Sequence, residues 1–261
     1  MLTRILERRR QRLAEEMAGT SERELRIRAA DLPPPRDFRA ALDHAAGLGL
    51  IAEIKRATPS RGPIALALDP AERARAYQAA GADCLSVLTE PDFFRGSADD
   101  LRRARAACAL PILRKDFLVD PWQVWEARAM GADAVLLIVA ALDGARMREM
   151  RDAAREAGLH ALVEVHTAEE LAGAADADLI GVNSRNLRTL EISLDTMVSV
   201  LNLVPKRVLA VAESGLRTGD DARRARAAGA RALLVGEEVV TRGEPAGKIR
   251  ELKLLPEKGR G

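Results

Sequence analysis

Two lysines and two glutamates carry the chemistry that this sequence can do. Glu53 and Lys55 are two residues apart at the end of the apolar run Leu50–Ile54, so in a strand they share one face. Lys115 follows the run Pro111–Leu113 in Arg114-Lys115-Asp116, and Glu164 sits inside Val163-Glu164-Val165. Two later runs end in Asn183-Ser184-Arg185 and Glu213-Ser214-Gly215. Burying an ionisable group in such a run is costly unless it is paired or faces a wet site. For any single residue an interior ion pair explains this as well as function does. Five runs with polar residues at the same end favour a shared site.

The lysines narrow the chemistry. The chain has six, Lys55, Lys115, Lys206, Lys248, Lys253 and Lys258, against an abundance of arginine. A generic cation would be Arg in this composition, whereas Lys can exchange its proton when its environment is tuned. Lys55 and Lys115 therefore imply proton transfer, and the other four are expected in solvated positions. Ser214-Gly215 and Gly236-Glu237 place small residues after the last two apolar runs, where backbone N–H groups can hold a phosphate. Only the N–H of Glu237 is expected to help there, with its side chain turned away. Phe93-Phe94, ahead of Gly96-Ser97, could line an apolar pocket. His44, His160 and His166 share no ligand spacing and are expected at surface or turn positions, so no metal site is expected. Trp122 and Trp125 are read as packing.

Those residues need elements to hold them. Eight short apolar runs recur: Leu50–Ile54, Cys84–Leu88, Pro111–Leu113, Ala134–Val139, Ala161–Val165, Leu179–Val182, Val208–Ala212 and Ala232–Val235. Segments rich in Ala, Arg and Glu separate them, and several end in Gly81-Ala82, Gly131-Ala132 or Gly229-Ala230. Glycine closes a helix in the left-handed conformation, and the apolar run after it is the next buried strand. Eight parallel strands in 261 residues predict a single (β/α)8 TIM barrel, with catalytic groups at the C-terminal strand ends. No Gly-x-Gly-x-x-Gly follows the first run, so a dinucleotide site has no support. Helices are predicted over 3–17 and 22–30, the second opened by a Ser21/Glu24 capping box, and a third begins at Asp37 after Pro33-Pro34-Pro35. The expected organisation is an N-terminal helical extension at 1–47, the barrel at 48–255 and a tail at 256–261. The segment 187–206 reads as polar and irregular.

A formal net charge of +2, from 41 basic and 39 acidic residues, argues against a nucleic-acid-binding surface. Cys84 and Cys108 lie in apolar or Ala-rich segments and read as buried thiols of a reducing compartment. The first residues lack the apolar core of a secretory signal, and Ala134–Leu142 is too short to span a bilayer. A cytoplasmic protein is expected, without nucleic-acid or membrane partners, as a monomer or small homo-oligomer.

These motifs together resemble the indole-3-glycerol-phosphate synthase family. The resemblance is carried by Ile51-Ala52-Glu53-Ile54-Lys55-Arg56-Ala57-Thr58-Pro59-Ser60, Leu85–Glu90 with Phe93–Ser97, and Leu113–Phe117. It continues through Val135–Val139, Val163–Val165, Gly181–Leu187 and Ala212–Gly215, and so covers nearly the whole chain. It implies conversion of 1-(2-carboxyphenylamino)-1-deoxyribulose 5-phosphate to indole-3-glycerol phosphate in tryptophan biosynthesis, with loss of carbon dioxide and water and without cofactor or metal. It implies Lys115 as the general acid of ring closure and Glu164, supported by Glu53, as acid/base partner in dehydration. Lys55 would contact substrate and could donate a proton; the division between the lysines stays open. Asn183 and Ser214 match catalytic positions. Ser60, Leu88, Phe94, Phe117, Leu136, Arg185, Gly215, Gly236 and Glu237 match substrate contacts. Two departures stand out: Thr58 where the family usually has Ser, and Glu238-Val239 where it usually has Ser-Leu. A sibling sugar-phosphate isomerase and a non-catalytic sugar-phosphate binder remain as alternatives.

Overall fold

Short strands that are apolar on both faces cannot sit at an open edge without exposing backbone donors, and here they close on themselves. The computed structural model describes residues 1–236 and 245–256. Its eight parallel strands are β1 Gly49–Ile54, β2 Cys84–Leu88, β3 Ile112–Lys115, β4 Ala134–Ile138, β5 His160–Val165, β6 Leu179–Asn183, β7 Leu209–Glu213 and β8 Ala232–Val235. They pair in chain order, and β8 returns to β1 through Gly49↔Ala232 to Ala52↔Val235, giving a closed (β/α)8 barrel. Three strands run further than their apolar runs, because β3, β6 and β7 end on Lys115, Asn183 and Glu213.

Helices between strands start where side-chain oxygens cap free N–H groups. Asp69 caps α4 (Pro70–Ala79), Ser97 caps α5 (Ala98–Ala107), and Asp120 with Gln123 forms a capping box on α6 (Pro121–Met130). Asp143, Ser193 and Thr218 cap α7 (Gly144–Glu156), α8 (Leu194–Leu201) and α9 (Gly219–Ala227). Gly81, Gly131 and Gly229 all have positive φ, as their Gly-Ala turns require. The segment expected to be irregular therefore contains a regular helix, α8, since Ser193 supplies a start the polar composition obscured. The connection after β5 departs from the repeat in the other sense: it is a 3-10 turn, Glu169–Ala174, rather than an α-helix.

The N-terminal helices are α1 (Leu2–Gly19), α2 (Glu22–Ala30) and α3 (Phe38–Asp43). Phe38 and Leu42 of α3 join Ile51, Cys84 and Leu113 in the inner apolar cluster, and Ile5 and Leu6 of α1 belong to that cluster too. A larger cluster lies between strands and helices and takes in Trp122, Trp125, Leu101 and Met150. Lys253, expected in solvent, is buried after α10 (Pro245–Leu252). Its ammonium donates to Gly81 O at 3.0 Å and to Asp83 at 2.8 Å, so the charge is paired while the stem packs.

Candidate active site

Side chains alternate along a strand, so the inward set at the C-terminal ends of β1, β3, β5 and β7 includes Glu53, Lys115, Glu164 and Glu213. Lys115 Nζ lies 2.9 Å from Glu164 Oε2 and 3.5 Å from Glu213 Oε2. Just past β1, Lys55 Nζ donates to Glu53 Oε1 at 2.6 Å. Two inward glycines leave room for the carboxylates. A Cβ on Gly181 would fall 2.0 Å from Glu213 Oε1, and one on Gly236 would fall 2.6 Å from Glu53 Oε1. Gly236, read in the sequence as a phosphate contact, thus has a second reason to be glycine.

Burial by itself would favour a neutral Lys115, but the Glu164, Glu213 and Glu53 charges outweigh that and push its pKa up. Burial opposes charge on Glu164 as well, yet Lys115 and His166 prevail and hold it below the ordinary carboxylate range. Glu213 moves the opposite way. Burial dominates there, and the neighbouring Glu164 adds to it, so Glu213 retains a proton more readily than a free carboxyl. One site thus holds a cationic ammonium, an anionic carboxylate and a carboxyl inclined to be neutral, which is the separation that acid–base chemistry needs.

Above these groups lies an open cleft of about 1190 Å3, including its mouth. Leu88, Phe94, Phe117 and Leu136 line it, and the Phe94 and Phe117 rings are 6.0 Å apart at 35°. Glu90, buried beyond β2, accepts the N–H groups of Phe93 and Phe94 and so sets the aromatic loop. Across the cleft stand Asn183, Arg185, Ser214, Gly215 and Gly236. Asn183 Oδ1 accepts the Arg185 N–H at 3.0 Å, and the Arg185 guanidinium donates to Leu190 O at 3.3 Å. Ser214 and Gly215 have φ of 65° and 70°, consecutive left-handed residues. A Cβ on Gly215 would meet Ile192 Cγ2 at 2.6 Å, so only glycine fits. Thr58, Pro59 and Ser60 bring the loop after β1 to the same cleft, through a small ribbon that pairs Ala57–Thr58 with Gly62–Pro63. Glu237, Glu238 and Val239 lie outside the described residues.

The model of the indole-3-glycerol phosphate synthase family matches residues 2–252. The chain belongs to the indole-3-glycerol phosphate synthase family. Two proteins named indole-3-glycerol phosphate synthase show the depth of the match. That of a Nocardioides species is 53% identical over 246 residues, 92% of this chain and 93% of its own length. That of Rhizorhabdus wittichii is 50% identical over 256 residues, 96% and 97% of the two chains. Among solved structures, 3-hexulose-6-phosphate synthase from Salmonella typhimurium superposes with a TM-score of 0.61 at 15% identity, over 79% of this chain and 97% of that one. That likeness is one of fold.

Within this synthase-family site the structure adds groups the sequence left unassigned. Glu213 was noted only as a polar strand end, yet it contacts Lys115 directly. Met1, just before α1, and Leu2 and Ile5 within it line the cleft; the sequence signal is the apolar spacing Leu2, Ile5, Leu6 and Leu13 on one helix face, which also buries Arg9. The expectation for His166 is corrected. It is buried, with 8% of its surface exposed, because carboxylates stand on both sides of its ring. No helix among the described residues is long and apolar enough to cross a membrane.

Proposed function

We propose that the chain is an indole-3-glycerol phosphate synthase, a carboxy-lyase of tryptophan biosynthesis, with Lys115 as the general acid of ring closure. The substrate is 1-(2-carboxyphenylamino)-1-deoxyribulose 5-phosphate. The aryl carbon that bears the carboxylate attacks the ketone carbon, and the ketone oxygen takes a proton. Carbon dioxide then leaves and restores the aromatic ring, and the new hydroxyl departs as water. A donor is needed at the ketone, and an acid and a base are needed for dehydration.

The observation that carries this reading is the contact of Lys115 with Glu164 and Glu213 at the floor of an apolar-walled cleft. Lys115 is kept protonated until substrate arrives. Glu164, held ionised, is the base of dehydration with Glu53 in support, and Lys55 lies on the opposite side for substrate contact or a second proton. Leu88, Phe94, Phe117 and Leu136 take the anthranilate ring. The N–H groups about Gly215 and Gly236, together with Arg185, offer positive potential to the phosphate. Asn183 fixes the Arg185 backbone, and Ser214 supplies a hydroxyl beside the phosphate end.

Purified protein should convert the carboxyphenylamino substrate with a rise in indole fluorescence. Lys115→Ala should lower kcat by about 10³-fold, the scale of a lost general acid. Absence of product from the wild-type protein, with substrate held tightly, would favour the non-catalytic binder. Near-normal turnover in the variant would move the acid to Lys55.

A further inference from the structure

His166 adjoins the acid–base cluster without lining the cleft. It follows Glu164 by two residues, so both side chains lie on the same side of the chain as β5 ends. Its Nε2 stands at ion-pair distance, 3.2 Å, from Glu164 Oε1 without hydrogen-bond geometry, while the other oxygen of that carboxylate, Oε2, takes the Lys115 ammonium. Its Nδ1 is 3.2 Å from Glu170 Oε2, and that same oxygen accepts the His166 backbone N–H at 2.7 Å. Glu170 comes from the 3-10 turn that replaces an α-helix after β5. His166 is not among the residues that line the cleft, whereas Glu164 is.

A neutral imidazole has one donor and one acceptor nitrogen, whereas here each nitrogen faces a carboxylate oxygen. Only the imidazolium meets both without repulsion. The charged groups facing His166 are Glu164 and Glu170; those facing Glu164 are Lys115 from β3, Glu213 from β7 and His166 itself.

We infer that His166 is a positioning residue for the dehydration step: held by Glu170, it fixes the Glu164 carboxylate and keeps it ionised without lining the substrate cleft. This rests on Glu164 being the acid/base of dehydration. Burial alone would lower the pKa of His166, but Glu164 and Glu170 outweigh burial and push it up to about 10. The imidazolium therefore persists at neutral pH, and Glu164 has a cation beside each oxygen.

The test is a pH profile of three variants beside the wild type, with an activity-independent readout. His166→Phe should lower kcat by about 10²-fold, the cost of a misplaced catalytic group, with KM changed less than about threefold. The acid limb of its kcat profile should move to higher pH, since Glu164 then loses one of its two cations. His166→Gln, which keeps a donor but no charge, should recover part of kcat. Glu170→Gln, which keeps an acceptor for the His166 N–H, should show a smaller loss of the same kind. If His166→Phe does not fold, the two glutamine variants decide. A folded His166→Phe with wild-type kcat and an unmoved acid limb would overturn the inference, as would equal and unshifted profiles for both glutamine variants. In nitrogen-detected NMR of the free protein, the His166 ring should remain imidazolium past pH 8 and titrate lower in Glu164→Gln. A neutral ring at pH 7 would overturn the inference with no reference to turnover. Should the wild type fail to turn over substrate, the proposed activity falls, while the NMR titration still reports whether His166 grips Glu164.

Discussion

Arg114 and Lys115 are adjacent on one strand and point in opposite directions, and their surroundings differ in kind. Arg114 faces the helix layer, 2% exposed, and every nitrogen of its guanidinium has a partner. Nε donates to Thr89, Nη1 to Gln123 O with Glu126 at 2.7 Å, and Nη2 to Asp116 at 3.1 Å. Arg9 of α1 adds a cation 3.8 Å from Asp116. Lys115 faces the barrel interior among three carboxylates and opens onto the cleft. Both clusters contain buried atoms without a hydrogen-bond partner, Arg9 Nε, Gln123 Nε2 and Glu126 Oε2 around Arg114 and Glu213 Oε1 beside Lys115. What separates the two is access: Arg114 is shut between strand and helices, whereas Lys115, Glu164 and Glu213 line the cleft where another molecule can reach them. The same strand thus builds a structural cluster on its outer face and a reactive one on its inner face.

The largest contrast should come from breaking the two clusters one at a time. Lys115→Gln should cost about 10³-fold in kcat while stability changes by about 1 kcal/mol or less, since Glu213 already tends to hold a proton and Glu164 keeps His166. Arg114→Leu should do the reverse. Removing that guanidinium leaves Asp116 and Glu126 without their main counter-charge, and unpairing a buried ion costs about 3–5 kcal/mol. Urea denaturation of both proteins, with kcat measured on the folded fraction, checks the pair. A destabilised Lys115→Gln with full activity would erase the distinction.

How far this division could be read in the sequence depended on strand period and helix punctuation. The glycines after α4, α6 and α9, and the apolar runs after them, give the (β/α)8 barrel, because both signals are local. Glu53 and Lys55 were legible from two-residue spacing alone. His166 stands in that same relation to Glu164, but a test for metal-ligand spacing among the histidines passes over it. Its partner Glu170 is placed by a 3-10 turn that has no apolar period to announce it. Apolar runs also stop short of Lys115, Asn183 and Glu213, since the functional groups are what interrupt them. The closure of α1 over the cleft is a tertiary contact, so neither its spacing nor its charge fixes where it docks.

A smaller perturbation tests whether the reactive cluster depends on space as well as charge. Gly181→Ala would drive a methyl into the Glu213 carboxyl, a contact of 2.0 Å that nothing could tolerate without movement. Overpacking of this kind costs about 1–3 kcal/mol. Because the displaced group is Glu213, kcat should fall along with stability. Gly219→Ala is the control: its nearest neighbour would be Glu251 Cγ at 3.4 Å, an ordinary contact, and Gly219 does not line the cleft. Equal kcat in the two variants would mean that the position of Glu213 is of no consequence.

The smallest effect concerns the pH dependence of stability, where His166 adds to the reactive cluster an alkaline loss that the Arg114 cluster lacks. Glu164 and Asp116 have depressed folded-state pKa values, so each contributes stability above the ordinary carboxylate range that is lost in acid. His166 is raised, to about 10, so its contribution is complete below the imidazole value of the unfolded chain, about 6.5. It fades as pH climbs from there towards 10, because the folded protein then holds a proton the unfolded chain has released. The slope from this one group is at most about 1.4 kcal/mol per pH unit. Chemical denaturation at pH 6.5, 8 and 9.5 should therefore show falling stability in the wild type, and a flatter profile in His166→Gln, which has no proton to lose. Arg114→Leu should retain the alkaline slope while losing stability throughout, since its cluster titrates in acid. Parallel alkaline slopes in wild type and His166→Gln would mean that the ring is neutral in the folded state, and the reactive cluster would then lack the cation that sets Glu164 apart from Glu213.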